Sequence, residues 1–444
     1  MSSQPALPRA ILSVTDGAMM MIGIIIGIGI FKAPQVVAMF VANEWMFVGV
    51  WVAGGIITLI GALVYAELAA AYPSTGGEYH FLTRALGHPV GFMFAWARTT
   101  VIQTGAIAAV AFVLGDYAQE LYSIGSYGSS IYAGTALAIL TCVNLAGTHE
   151  SKSTQNILTF FEVLAMLSIC LVGFTVGGGT GSAALAGAGG SGSGALGLAM
   201  VFVLLTYGGW NECAYLSADL RDVRRDMIRI LLIGTAVVTT LYVLINIAYL
   251  QVLGLEGLRK SDTVAADVMR LGLGANGAAI VSLIVCCAAL STMNASIFTG
   301  ARLYHALGQD LSLSRLSMWD SARNNPRNAI LVQSLIAMAL VGFGTAARDG
   351  FKAMVEYTAP VFWFFLLLVG VSFFVLRYRE PDRDRPFRVP FHPVTPLLFC
   401  MTCAYLLYSS LVYTGTGALV GIAVLALGLP LLALTRNRRL AASE

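Results

Sequence analysis

The sequence predicts an all-α integral membrane protein of twelve transmembrane helices, built as two five-helix halves followed by two accessory helices. Three observations carry this expectation. Of the 444 residues, 57% are hydrophobic and 11% charged, with a mean hydropathy of +0.79, whereas soluble domains run near a quarter charged. Apolar runs of the roughly 20 residues that cross hydrocarbon centre near Gly27, Leu59, Thr104, Leu137, Ala165, Leu204, Leu241, Cys287, Ile336, Phe365, Ala404 and Val424. The first and sixth runs are broken by glycines at matching places, "IIIGIGIF" (Ile24 to Phe31) and "LLTYGGWN" (Leu204 to Asn211).

The halves are expected over residues 12–178 and 193–378, with the accessory helices over 393–436. Between the halves lies "GGGTGSAALAGAGGSGSG" (Gly177 to Gly194), uncharged and of flexible composition. Five spans per half make the second half enter from the opposite side, the mark of an inverted repeat. The opening span is too long for a cleaved signal peptide and lacks a small-residue cleavage site, so the amino terminus is expected to be retained. With that terminus inside, 19 of the 26 Lys and Arg residues fall on its side of the membrane and 5 on the other. Positive charge marks the cytoplasmic side. Both termini are therefore expected in the cytoplasm.

The polar residues of the spans follow in order. Lys32 lies in the first. Glu67, near the inner end of the second, is expected in a structural ion pair. Arg98, well inside the third, needs a partner, and a salt bridge or an inner gate is expected. Glu162 sits in the fifth, where an ionised, unpaired carboxylate is too costly, so it is expected either to take up and release a proton or to be held by a base such as Lys32 or Arg98. Glu212 follows the sixth-span break and could line an inner route or pair with an arginine. The arginines from Arg377 to Arg388, interrupted by Glu380, Asp382 and Asp384, suit anionic lipid and topology, and no nucleic acid is expected as a partner. The seven cysteines and five histidines show neither paired C-x-x-C nor H-E-x-x-H spacing, so no disulfide, metal site or catalysis is expected. No phosphate-binding G-x-x-x-x-G-K-[ST] motif appears, and no cofactor is expected.

Uncoiled backbone survives inside a membrane only where protein or a water-filled cavity satisfies its N–H and C=O groups. Breaks at the same place in two halves therefore mark a candidate binding site, since the N–H groups of a half-helix suit a carboxylate and freed carbonyls suit an ammonium. These are the two ends of a zwitterion. Glycines that only permit close helix packing are the plainer alternative. An ion channel would need a ring of like charges or repeated filter carbonyls, and the sequence has neither.

These stretches resemble the amino acid, polyamine and organocation (APC) transporter family over nearly the whole chain. "GIGIF" is similar to its first-helix G-S/T-G-I-F motif. "YAELAAAYPSTGGEYHFLTRALG" (Tyr65 to Gly87) resembles its second span and following loop, and "TYGGWNECAYLSADLRD" (Thr206 to Asp222) the sixth helix of the L-type amino acid transporter subgroup. "STMNASIFTGARLYHALGQD" (Ser291 to Asp310) and "LRYREPDRDRPFRVPFHPVTP" (Leu376 to Pro396) resemble the eighth span and the loop after the tenth. The resemblance implies a LeuT-like core, with helices 1 and 6 unwound, and alternating-access transport of L-amino acids as a proton symporter or exchanger. It places the substrate carboxylate at backbone around Ile25, Gly27, Ile28 and Gly29, and the amino group at Leu205, Thr206, Tyr207, Gly208 and Gly209.

Three positions depart from the family pattern. The hydroxyl between the first-helix glycines is Ile28 here, so a charge-assisted bond of roughly 1.5 to 3 kcal/mol is missing. Lys32 is expected to replace it, to share the proton with Glu162, or to stay wet in an outer vestibule. Many sodium-independent relatives place a lysine where this chain has Glu162, in "TQNILTFFEVLAML" (Thr154 to Leu167). A bulky sixth-helix aromatic that gates the substrate is replaced by Leu205, leaving Trp210 or Tyr207 as the expected gate.

The alternative substrates are amines or polyamines, which lack a carboxylate and so suit Ile28, although Lys32 would repel a cation. A receptor that binds without transport shares these features. Animal relatives bond a heavy chain through a cysteine in the outer loop between spans three and four. "LYSIGSYGSS" (Leu121 to Ser130) has no cysteine, so no disulfide-linked heavy chain is expected, and the bacterial inner membrane is the expected location.

Overall fold

The computed structural model describes residues 14–74, 76–146, 152–176, 193–212, 223–310, 315–318, 320, 325–347, 349–413 and 416–433. The two chain ends, most of the glycine-rich segment and Cys213 lie outside the described residues. All regular structure among the described residues is helical, apart from one bridge between Asp320 and Asn325.

The first apolar run forms two helices, α1 (Val14–Ile25) and α2 (Gly29–Phe40). The ladder stops after Ile26 N–H bonds Ile22 O; Gly27 N–H then turns back to Ile25 O at 2.6 Å, and Phe31 N–H starts again from Ile28 O. α3 (Glu44–Ala71) begins at Asn43, whose side chain accepts from Met46 N–H at 2.9 Å, with Glu44 in the first turn opposing the helix dipole.

After the short α4 (Gly77–Leu86), α5 (His88–Ala97) and α6 (Thr104–Leu121) join through a π-helical segment, Arg98–Gln103, into one apolar run. The widened turn leaves carbonyls to be satisfied from outside. Tyr304 Oη donates to Thr99 O at 2.7 Å and Tyr357 Oη to Thr100 O at 2.9 Å. Two other helices are thereby tied to this one at its middle.

α7 (Gly128–Ala146), α8 (Lys152–Val176) and α9 (Ser193–Thr206) follow, then α10 (Val223–Lys260), α11 (Val264–Asp310), α12 (Arg327–Ala346), α13 (Gly350–Arg379), α14 (Val394–Tyr413) and α15 (Thr416–Ala426). α10 and α11 each bend at a glycine with positive φ, Gly254 at 63° and Gly274 at 72°, backbone that only glycine adopts without cost. The stretch between them is a connector, helical except at residues 261–263.

Among the described residues, nine helices are long and apolar enough to cross a membrane, and three shorter apolar helices accompany them, Gly29–Phe40, Glu162–Val176 and Leu196–Thr206. The chain is thus a multi-pass, all-helical membrane protein. α10 packs on α3 and α1, α6 lies among α7, α11 and α13, and α2 touches α9. Large apolar side chains such as Ile131, Leu171, Leu335 and Met401 face outward, where lipid replaces the core as their solvent.

Candidate functional site

The two helix breaks adjoin. Gly29, at the start of α2, lies against Thr206, at the end of α9: a Cβ on Gly29 would stand 3.3 Å from Thr206 Cγ2 and 3.6 Å from its Cα. Beyond Thr206 the chain tightens, with Gly208 N–H bonding Leu205 O at 3.0 Å and Glu212 N–H bonding Gly209 O at 3.0 Å. Gly209 has φ of 107°, a left-handed conformation that ends the helix at little steric cost. Any side chain at 208 would strike Leu205 O, 2.8 Å from an added Cβ.

One hydroxyl joins the two breaks. Tyr242 Oη, on α10, is 2.8 Å from Ile25 O and 3.3 Å from Thr206 O. A phenol has one proton to donate, so the two carbonyls compete for it. The competition falls on the last carbonyl of each broken helix. The Tyr242 ring is held 4.9 Å from the Tyr207 ring and 6.1 Å from Trp51, while Tyr207 Oη donates to Trp51 O at 3.0 Å. The Tyr207 side chain is therefore committed to the α3–α10 packing, and only its backbone belongs to the break.

Ile25 and Ile28 are buried, and Leu205 is half-buried. Glu162, 7% exposed on α8, lies within electrostatic reach of Tyr242. The structure thus brings Ile25 and Thr206 to Tyr242, with Gly29 against Thr206.

Two nominated residues lie elsewhere. Lys32 Nζ is 2.9 Å from Asp116 Oδ2 on α6 and 3.6 Å from Asp262 Oδ1, so its charge is neutralised by carboxylates of the protein. Trp210 packs edge-on against Tyr65 at 4.8 Å and lies 6.3 Å from Phe399, with its ring over Gly61. That places it between α3 and α14.

Arg98, Glu212 and Glu67 are paired. Arg98 bonds Glu212 at 2.6 Å and approaches Glu78 at 3.6 Å, while Tyr65 Oη and Asn211 Nδ2 donate to Glu78 Oε1 at 2.6 and 2.9 Å. The base partners expected for Glu162, Lys32 and Arg98, thus have other acids beside them. Glu67 accepts two bonds from Arg377, at 2.7 and 2.6 Å, and one from Val389 N–H at 2.7 Å, the structural pairing expected of it. Beyond the spans, hydrogen bonds from Arg84 hold the Glu380 carboxyl below its usual range. Among the described residues no group of three or more His, Cys, Asp or Glu is placed to hold a metal.

Sequence reading missed Tyr242 and Asp116. A tyrosine in an apolar run carries no signal by itself. An acid such as Asp116 in the third run does, by the rule that flagged Glu162.

A family model described as amino acid permease matches residues 12–428. The human cystine/glutamate transporter is 27% identical over 416 residues, covering 91% of this chain and 81% of the relative. The mouse large neutral amino acids transporter small subunit 2 is 28% identical over 420 residues, covering 92% and 78%. The human b(0,+)-type amino acid transporter 1 is 27% identical over 410 residues, covering 90% and 82%.

Proposed function

The chain belongs to the amino acid permease family, and from that premise we propose that it carries L-amino acids through the membrane by alternating access, as an exchanger or a proton-coupled symporter. It is a transporter and not an enzyme. The observation that carries the mechanism is the meeting of the two helix breaks at Gly29 and Thr206, with Tyr242 Oη between their last carbonyls. N–H groups at the start of α2 suit a substrate carboxylate and the Ile25, Leu205 and Thr206 carbonyls suit an ammonium. The residues assigned to substrate are Ile25, Gly27, Ile28, Gly29 and Leu205 to Gly209, all through backbone, with Tyr242 added.

In this reading α1 with α2, and α9 with the chain after it, are the first and sixth of twelve spans in a LeuT-like core of two inverted five-helix repeats. The Lys and Arg asymmetry supports cytoplasmic termini. The cysteine-free stretch 121–130 supports the absence of a disulfide-linked heavy chain and is the sole support for a bacterial inner membrane.

A second reading, an amine or polyamine carrier, gains from the structure. The repulsion expected from Lys32 is cancelled by Asp116 and Asp262, and Ile28 offers a carboxylate no side-chain donor. The preference for amino acids rests on the relatives.

Proteoliposomes loaded with unlabelled amino acids and given labelled ones test the proposal. Accumulation of label by counterflow is expected for amino acids and not for the matching decarboxylated amines. Counterflow by amines alone selects the second reading, and binding without counterflow selects a receptor.

A further inference from the structure

Lys32 carries a charge that the substrate site does not use. It is 5% exposed on α2, and its ammonium meets Asp116 Oδ2 at 2.9 Å, Asp262 Oδ1 at 3.6 Å and Asp262 O at 3.1 Å. Three donors thus face three acceptors. Asp116 is steadied by Ser129 Oγ of α7 at 2.6 Å, and Asp262 by Gln35 Nε2 of α2 at 3.3 Å.

The neighbouring residues repeat the arrangement. Tyr117, next to Asp116, donates through Oη to the carbonyl of Phe31, next to Lys32, at 3.0 Å, and accepts from Ala265 N–H at 3.3 Å. Asp262 and Ala265 belong to the connector between the bends at Gly254 and Gly274. Arg259 of the same connector donates to Ala38 O at 2.9 Å and Val41 O at 2.8 Å, satisfying carbonyls that the end of α2 leaves open. Consecutive residues on α6 therefore grip consecutive residues on α2, and the connector is bound to both.

The parts differ in freedom. The connector is bounded by Gly254 and Gly274, around which an added Cβ would find open space, and α2 begins at an uncoiled break. α6 is packed among α7, α11 and α13. We propose that Lys32–Asp116, shared with Asp262, is the latch that holds α2 and the connector, moving together as one lid, to α6. Lys32 is then a gating residue rather than a substrate ligand. Removing its charge leaves Asp116 half-buried and uncompensated, a state relieved when the lid lifts and water enters.

The inference rests on the alternating-access reading. Its test is the distance between spin labels at Lys260, exposed on the connector, and Tyr127, exposed in the α6–α7 turn, in full-length protein with native cysteines replaced and reconstituted in lipid. Lys32→Met is expected to raise the ratio of long to short distances at least about tenfold. The exchange Lys32→Asp with Asp116→Lys, made together with Asp262→Asn so that no second carboxylate faces position 32, is expected to reverse most of that rise. Asp262→Asn, at an exposed carboxylate, is expected to shift the ratio the same way by less. A Lys32→Met distribution equal to the parent's, or a shift that the exchange leaves standing, overturns the latch. If Lys32→Met does not fold, an unshifted Asp262→Asn overturns it. Uptake by the parent protein is measured in parallel: uptake with an unresponsive lid defeats the latch alone, and a responsive lid without uptake defeats the transport reading alone.

Discussion

Gly29 and Thr206 touch across the two helix breaks, with so little room that a methyl on Gly29 would stand 3.3 Å from Thr206 Cγ2 and 3.4 Å from Oγ1. Thr206 cannot easily turn away, because Oγ1 donates to Phe202 O at 2.8 Å. Overpacking of this kind costs about 1–3 kcal/mol, here imposed where the breaks must keep their register. Gly29→Ala is expected to lower counterflow about fivefold or more, and adding Thr206→Ser, which removes the nearer γ carbon, is expected to recover most of it. Uptake rates of the single and double variants check this.

Tyr242→Phe separates the hydroxyl from the ring. The ring contacts with Tyr207 and Trp51 stay, so the packing is kept and the thermal midpoint is expected to fall by no more than the lost hydrogen bond costs, about 1–3 kcal/mol. Ile25 O and Thr206 O lose their shared donor, at about 1–3 kcal/mol for a buried unsatisfied group. Counterflow is therefore expected to fall roughly 5- to 100-fold. A large loss of stability with normal transport per folded molecule would assign Tyr242 to the core instead.

How much of this was legible in the sequence follows from what each residue's type reveals. Glycine pairs inside apolar runs announce interrupted helices, and the structure interrupts the chain at both. Glu67 and Arg98 announced ion pairs because a charge in hydrocarbon needs a partner. What the sequence could not carry is which partner, since Glu67 meets Arg377 and Lys32 meets Asp116 across hundreds or scores of positions. The helical rotation that decides whether Lys32 faces the break or the connector leaves no trace in composition. Trp210 was nominated as a gate because of its position beside the break, but the close approach permitted by Gly61 draws its ring between α3 and α14.

Glu67 anchors α3 to α13 and to the segment after it. It is 2% exposed and accepts from Arg377 and from Val389 N–H. An amide at this place presents a donor to a guanidinium and leaves that charge uncompensated, a change that costs about 3–5 kcal/mol when a buried pair is broken. Glu67→Gln is expected to lower the thermal midpoint in detergent by more than any other variant named here. The substrate affinity of the folded fraction should hold, because the anchor lies away from the breaks. A weakened affinity at unchanged midpoint would show that this end of α3 communicates with the site.

Glu162 is a buried acid of α8, 7% exposed and within electrostatic reach of Tyr242. An unpaired carboxylate is far costlier ionised than neutral at such a place. If the ionised form is reached only when one half of the cycle admits water, then proton uptake and release follow the cycle, and an inward proton gradient should drive accumulation. Glu162→Gln imitates the neutral acid permanently. In liposomes it is expected to lose the dependence of net uptake on external pH and on the gradient, while exchange of internal for external substrate, which needs no change of protonation, continues. Gradient-driven accumulation that persists in Glu162→Gln would remove the proton from Glu162. A parent protein indifferent to the gradient would leave exchange as the whole activity, because no other step of the cycle requires the acid to ionise.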